Sequence, residues 1–209
     1  MIAALEVLER DAPLVLGRQL AMGERELFSK YLIILTKWQR TQRLVGSSDP
    51  LWIIENLFLD SLLFLRVLPR GLESLLDLGS GAGLPGIPIK IVMPGIELVL
   101  VESRRRRASF LAAVVRELGL RDAGVISGRV EDHLGALEGR FDAVAMRCAG
   151  DVSELFPLAA RLVTPHRGVV VASGPPALTP ETPLAQGEWV EVEGLLSGTS
   201  RRFAVYRPA

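Results

Sequence analysis

The chain has 209 residues, 49% of them hydrophobic, and its 24 basic and 24 acidic side chains cancel. This excludes a disordered chain and leaves global charge no say in the choice of partner; at about 150 residues per domain it is one domain, or one with an appendage. A single cysteine, Cys148, excludes an intrachain disulfide and a cysteine-based zinc site.

The amino-terminal residues mix acidic and basic side chains and lack a basic start followed by a long apolar stretch, so no signal peptide is expected. No run approaches the ~20 apolar residues of a membrane span. The expectation is a soluble, cytoplasmic, monomeric protein with no membrane contact. A short helix is expected over residues 2–10. From Glu24 to Val45, Leu27, Tyr31, Ile34 and Trp38 recur at spacings of four, three and four, the period of one helix face. A second helical stretch runs over 51–68 and is closed by Pro69. Residues 1–70 thus read as a helical cap.

From 71 to 209 the pattern alternates. Strands are expected at Ser74–Leu78, Glu97–Glu102, Gly124–Ile126, Phe141–Met146 and Gly168–Ala172. Helices are expected between them, at about Pro85–Val92, Arg105–Leu118 and Val152–Leu162. Alternation with Val- and Leu-rich strands predicts a parallel sheet covered on both faces. The tail differs: Trp189–Leu196 and Arg202–Tyr206 read as two strands with no helix between them, hence an antiparallel hairpin, after a Pro-rich loop at 173–184. The fold class is α/β: a mostly parallel, Rossmann-like sheet with a carboxy-terminal hairpin and a helical cap.

The first strand runs into LLDLGSGAGLPGIPIK. In open parallel sheets, ligands bind beyond the carboxyl ends of the strands. Gly79, Gly81 and Gly83 permit a sharp turn and a close backbone approach that side chains would obstruct. Two cofactors compete. Gly81 to Gly86 is a G-x-G-x-x-G, with Glu102 about 20 residues on, as in dinucleotide sites. The fuller pattern is Asp77-x-Gly79-x-Gly81-x-Gly83, the first motif of Rossmann-like class I S-adenosylmethionine methyltransferases. There Asp77 is suited to receive an ammonium, and Glu102, ending the second strand, suits two ribose hydroxyls. Glu102 serves either cofactor. The final hairpin, and the lack of a second domain for a dehydrogenase substrate, favour the methyl donor.

The residues after the fourth strand narrow the acceptor. Amino-methylating enzymes carry Asp/Asn-Pro-Pro-aromatic there; this chain reads Met146-Arg147-Cys148-Ala149-Gly150. Cytosine-C5 enzymes need a thiolate, often after Pro; Cys148 follows Arg, and a small buried thiol is the ordinary reading. A ring nitrogen such as guanine N7 needs neither deprotonation nor covalent activation, only positioning.

The stretches LLDLGSGAGLPGIPIKIVMP, VESRRRRASFLAAVVRELGL, GRVED and FDAVAMRCAG, with LTKWQRTQRLV and FLDSLLFLRVLP upstream, closely resemble the small-subunit ribosomal RNA guanine-N7 methyltransferase family (RsmG, formerly glucose-inhibited division protein B). The resemblance covers most of the chain and is specific through GxGxGLPGIP. It implies rRNA methylation at N7 of one guanine in 16S rRNA, with S-adenosylmethionine as donor and the small ribosomal subunit or its assembly intermediate as partner. It implies donor contacts at Gly79 and Leu84, at Val130 and Glu131 after the third strand, and at Arg147 after the fourth, with Glu102 on the family's acidic strand end. Three positions depart from the family. Asn-Leu-Thr after the tryptophan helix is Arg43-Leu44-Val45, a His before the Asp-Ser pair is Leu57, and a Lys at the fifth strand's end is Ser173. The family's polar groups there are expected near substrate or phosphate. The alternatives kept beside an active enzyme are a catalytically weakened member that binds cofactor or RNA, and a dinucleotide-binding protein.

Arg104–Arg107 begins a helix, where cations oppose the macrodipole by about 0.3–1 kcal/mol each. A solvated face is the plain reading. The family match points instead to RNA phosphate, with Arg104, Arg105, Arg106 and Arg107 as candidates. Arg147, at a strand's carboxyl end, is the candidate for positioning substrate. His133 and His166 share no metal spacing with carboxylates and read as surface or turn residues, so no metal is expected. Trp38 and Trp52 read as cap packing.

Overall fold

A computed structural model describes residues 1–147, 152–173, 187–195 and 199–208, with side chains for all of these except 152–154. Cys148, the Pro-rich segment beyond Ser173 and the expected strand end at Leu196 lie outside the described residues.

The cap is helical throughout. Helix α1 is Ile2–Asp11, α2 Pro13–Leu16 and α3 Met22–Gln39. Helix α3 ends six residues short of the expected Val45. The physical reason is Gln39. Its side-chain oxygen accepts from the Leu44 and Val45 N–H groups at 2.8 and 3.1 Å, and its amide donates to the Val45 carbonyl at 2.7 Å. These bonds satisfy the backbone of a loop in place of further helical turns. The next stretch begins at α4, Pro50–Ile53, with Asp49 as N-cap accepting from Leu51 N–H. It widens into a π-helix at Ile54–Leu59, continues as α5, Asp60–Leu62, and tightens into a 3₁₀ turn at Leu63–Arg66.

Beyond the cap comes the sheet: β1 Ser74–Leu78, α6 Gly86–Val92, β2 Glu97–Glu102, α7 Arg105–Leu118, β3 Ala123–Ser127, a 3₁₀ turn Val130–His133, α8 Leu134–Leu137, β4 Ala143–Arg147, α9 Val152–Leu162, β5 Val169–Ser173, β6 Glu188–Glu193 and β7 Ser200–Tyr206. The strand order is β3-β2-β1-β4-β5-β7-β6. β1 to β5 are parallel, while β7 runs antiparallel to both β5 and β6. The hairpin read from the sequence is therefore present, wedged with β7 against β5. The order reverses at β1 and β4, so the crevice for a ligand opens beyond the carboxyl ends of β1, β2 and β4.

Strand parity sorts the core into two layers. Leu75, Leu98, Leu100, Ala143, Ala145, Val169 and Val171 face the cap, α6 and α7. Leu76, Val99, Val101, Val144, Met146 and Val170 face α9 and the turn after β3. Such two-sided burial is why the central strands read as unbroken apolar runs. The cap shares one hydrophobic cluster with the sheet, from Leu8, Phe28 and Phe58 to Leu75 and Phe110, so the core is continuous across residue 70. Trp38 packs edge-on to Phe110 with ring centres 5.6 Å apart, joining α3 to α7. Helix α7 buries Ala108, Leu111, Val114 and Leu118 and ends at Gly119 in the left-handed conformation (φ 63°).

Candidate functional site

The glycine loop between β1 and α6 occupies the switch point. Gly79 and Gly81 have φ of 72° and 56°, a region that favours residues without a Cβ. Gly79 and Ser80 N–H both donate to the Val101 carbonyl, at 2.9 and 3.0 Å, which draws the loop onto the end of β2. Gly86 is needed for closeness: a Cβ there would stand 2.7 Å from Asp77 Oδ2 and 2.9 Å from Leu100 Cδ2.

Asp77 is fully buried beneath this loop. Its Oδ2 accepts from Gly86 N–H at 2.9 Å, and its Oδ1 has no hydrogen-bond partner. Burial pushes its carboxyl up to about 7, opposed by the Gly86 N–H and the Arg147 charge and aided by Glu102. A buried acceptor with no donor is rare and calls for an explanation. Glu102 is 5% exposed. Its Oε2 accepts from Gly81 N–H at 2.9 Å and its Oε1 from Arg104 N–H at 2.8 Å, so one carboxylate ties the glycine loop to the start of α7. Tyr31 supports the loop from the cap. Its hydroxyl donates to the Ala82 carbonyl, and its ring stacks on Phe58 at 4.7 Å. Burial, with the Asp77 charge, holds the Tyr31 hydroxyl well above its ordinary pKa, keeping it a neutral donor.

Beside the loop lies a cleft of about 180 Å³ lined by Gly79, Val101, Ser103, Gly128, Val130 and Glu131. It brings together the ends of β1, β2 and β3. Val130 is buried and Glu131 exposed at its rim. Leu84 is buried in the core under the loop. A second opening, of about 390 Å³, lies between residues 41–44 and Arg104–Arg107.

Arg147 ends β4 and is held from the cap. Its guanidinium pairs with Asp60 at 3.0 Å and donates to the Asn56 carbonyl at 2.6 Å and the Leu57 carbonyl at 3.3 Å. These carbonyls lie in the π-helix, a wide turn common at functional sites. Asp60 also pairs with Arg201 of β7 at 3.1 Å, so one carboxylate bridges two arginines from distant strands. Leu57 packs its side chain in the core and offers its backbone carbonyl to Arg147. Ser173 sits in register with Arg147, and its buried Oγ has no partner.

The expected residues Asp77, Gly79, Gly81, Glu102, Val130, Glu131 and Arg147 thus gather around the carboxyl ends of β1 to β4. Sequence reading missed Asp60 and Tyr31 as parts of the site. Neither carries a local motif of its own, and their partners, Arg147 and Ala82, are remote in sequence. The nearest signal was the Asp-Ser pair of the second cap helix. His166 sits in an exposed turn at φ 61°. Among the described residues there is no group of three or more His, Cys, Asp or Glu able to hold a metal, and no helix long and apolar enough to cross a membrane.

The fold has counterparts and the sequence has relatives. Residues 24–179 match the profile of the family described as rRNA small subunit methyltransferase G. A Ribosomal RNA small subunit methyltransferase G of Sorangium cellulosum is 38% identical over 163 residues, 77% of this chain and 67% of its own. Its namesake in Chromobacterium violaceum is 33% identical over 159 residues, 76% of this chain and 75% of its own. Among solved structures, a precorrin-6y C5,15-methyltransferase from Geobacter metallireducens superposes with a TM-score of 0.52 at 15% identity, covering 80% of this chain and 92% of its own. MtNAS, in complex with MTA and tNA, superposes with a TM-score of 0.55 at 15% identity over 88% of this chain and 71% of its own. At these identities the two structures speak for the fold alone, whereas the profile and the relatives speak for descent. The chain belongs to the rRNA small subunit methyltransferase G family.

Proposed function

We propose that this protein transfers a methyl group from S-adenosylmethionine to N7 of a guanine in 16S rRNA. The observation that carries the reading is the donor loop: Asp77 to Gly83 is complete, lies at the switch point of the sheet, and is tied by Glu102 to α7. The residues present fit the donor. The unpartnered Asp77 Oδ1 offers an acceptor under the loop, a Cβ at Gly81 would meet only the tip of the Arg107 side chain at 3.6 Å and the loop's own Gly79 carbonyl at 3.8 Å, and the cleft from Gly79 to Glu131 continues toward β3.

S-adenosylmethionine, when bound, supplies a sulfonium methyl group open to attack by a lone pair. Guanine N7 carries such a pair and no proton, so the protein needs no general base at that atom; its contribution is orientation and exclusion of water. Asp77, Gly79, Gly81, Glu102, Val130 and Glu131 hold the donor side. Arg147, braced by Asp60 and by two backbone carbonyls, presents a fixed cation at the end of β4, suited to orient the acceptor base or the donor's carboxylate. Arg104–Arg107 contact RNA phosphate, and the assembled small subunit or its precursor is the partner.

The test is transfer of label from donor to small subunits that lack the modification, with the product mapped by reverse-transcription stops after N7-specific cleavage. Label at one guanine N7 supports the reading. Donor binding without transfer to rRNA, in free or assembled form, points to the weakened, binding-only member.

A further inference from the structure

We propose that the cavity between the 41–44 loop and the first turn of α7 is a composite site for one phosphodiester of the substrate RNA, with Arg43 and Arg106 acting on the same phosphate from opposite walls. This deepens the reading above and rests on it for the identity of the RNA.

The cavity, about 390 Å³, has one wall made by Thr41, Gln42 and Arg43 and the other by Arg104–Arg107. Arg43 and Arg104 to Arg106 are exposed, and Arg107 is half-buried. Among the described residues, none of these five guanidinium groups is in an ion pair, although arginines elsewhere in the chain commonly find a carboxylate. The neighbouring acid, Glu102, already accepts from Gly81 and Arg104 N–H. The positive end of α7 adds to the same field. Five cations and a helix N-terminus around one opening repel each other unless an anion enters, and the fork of donors on Arg matches phosphate oxygens.

The walls are preorganised. Gln39 clamps the backbone of Leu44 and Val45, and Leu44 is buried, which fixes the loop that carries Arg43. Trp38 against Phe110 fixes α3 relative to α7, and so one wall relative to the other. The cavity also abuts the donor loop: a Cβ at Gly81 would stand 3.6 Å from Arg107 Nη1. A phosphate held here lies next to the donor loop, where the backbone of a target nucleotide must pass.

The experiment is a double-mutant cycle on the full chain with Arg43→Gln, Arg106→Gln and both together. Both side chains are exposed, so thermal melts should change little. Unmodified 16S rRNA binding is measured from 0.05 to 0.3 M salt, and S-adenosylhomocysteine binding by calorimetry. A lost phosphate contact lowers the magnitude of the log K against log salt slope by about 0.7–0.9, or about five- to eightfold in Kd at 0.1 M salt. If the two arginines share one phosphate, the double variant loses one contact's worth of slope and the single effects do not add. Donor-product affinity stays at the wild-type value. Wild-type RNA affinity and slope in the double variant would overturn the site. So would a loss of two full contacts, which places the arginines on separate phosphates. So would a fall in S-adenosylhomocysteine affinity, which assigns the cavity to the donor. The outcome is separable from the proposed activity: a wild-type protein that methylates rRNA while the variants bind normally removes the cavity alone. Variants that lose RNA binding in a protein that transfers no methyl remove the activity alone.

Discussion

Asp77 is the group whose chemistry is most exposed to test. Its carboxyl is fully buried and titrates at about 7 in the folded chain, against about 3.9 when unfolded. Between these values the folded state holds a proton that the unfolded state has released. A raised carboxyl pKa means that this stabilisation is fully present below about pH 4 and is lost as pH rises through 7. The slope is about 1.4 kcal/mol per pH unit, so the group alone removes about 2–3 kcal/mol between pH 5 and pH 8. For a chain of this length that corresponds to about 5–10 °C in Tm. Asp77→Asn keeps an oxygen for Gly86 N–H and does not titrate. It adds an amide whose hydrogens find no partner, a cost that does not vary with pH. The measurement is therefore the difference in pH dependence: urea unfolding of wild type and variant from pH 5 to 8. The wild type should lose stability relative to Asp77→Asn as pH rises. Parallel curves for the two proteins would show that Asp77 titrates normally and would refute the argument from burial. A cation bound beside Asp77 favours its ionised form, so wild-type affinity for S-adenosylhomocysteine should rise from pH 5 to 7, and the variant's should not.

Gly81→Val places a branched side chain at a φ of 56°, beside Arg107 in the donor loop; the protein should remain folded by circular dichroism and lose S-adenosylhomocysteine binding in calorimetry, and unchanged affinity would count against the donor site. Asp60→Ala leaves Arg147 and Arg201 without their shared carboxylate at side-chain exposures of 13% and 20%, and should cost about 1–3 kcal/mol by denaturant unfolding, below the ~3–5 kcal/mol of a fully buried pair because the side chains are partly exposed and Arg147 keeps the Asn56 and Leu57 carbonyls. Tyr31→Phe keeps the stack on Phe58 but strips the buried Ala82 carbonyl of its donor; a loss of about 1–3 kcal/mol is expected, with weaker donor binding because the loop loses its tie to the cap.

What the sequence determined by itself was whatever is coded by neighbours along the chain. Strands Ser74–Leu78 and Glu97–Glu102 and helices Arg105–Leu118 and Val152–Leu162 have the limits that apolar runs, helical period and turn residues predicted. The glycine loop was legible for the same reason: glycines at fixed offsets from a strand-end carboxylate are a local statement about backbone shape. β3 and β4 were misjudged by a residue or two, because the ends of a strand are set by pairing with β2 and β1 rather than by its own residues. Helix α3 stopped at Gln39 because a side chain in its last turn bonded a loop five and six residues further on, which no periodicity records. Only the tertiary structure could join Asp60 to Arg147 and Arg201, or set Arg43 across a cavity from Arg104–Arg107. Those meetings depend on how the cap docks on the sheet. That docking comes from the shared core of Phe28, Phe58, Leu75 and Phe110, a sum of many non-directional contacts in which no single residue names its partner.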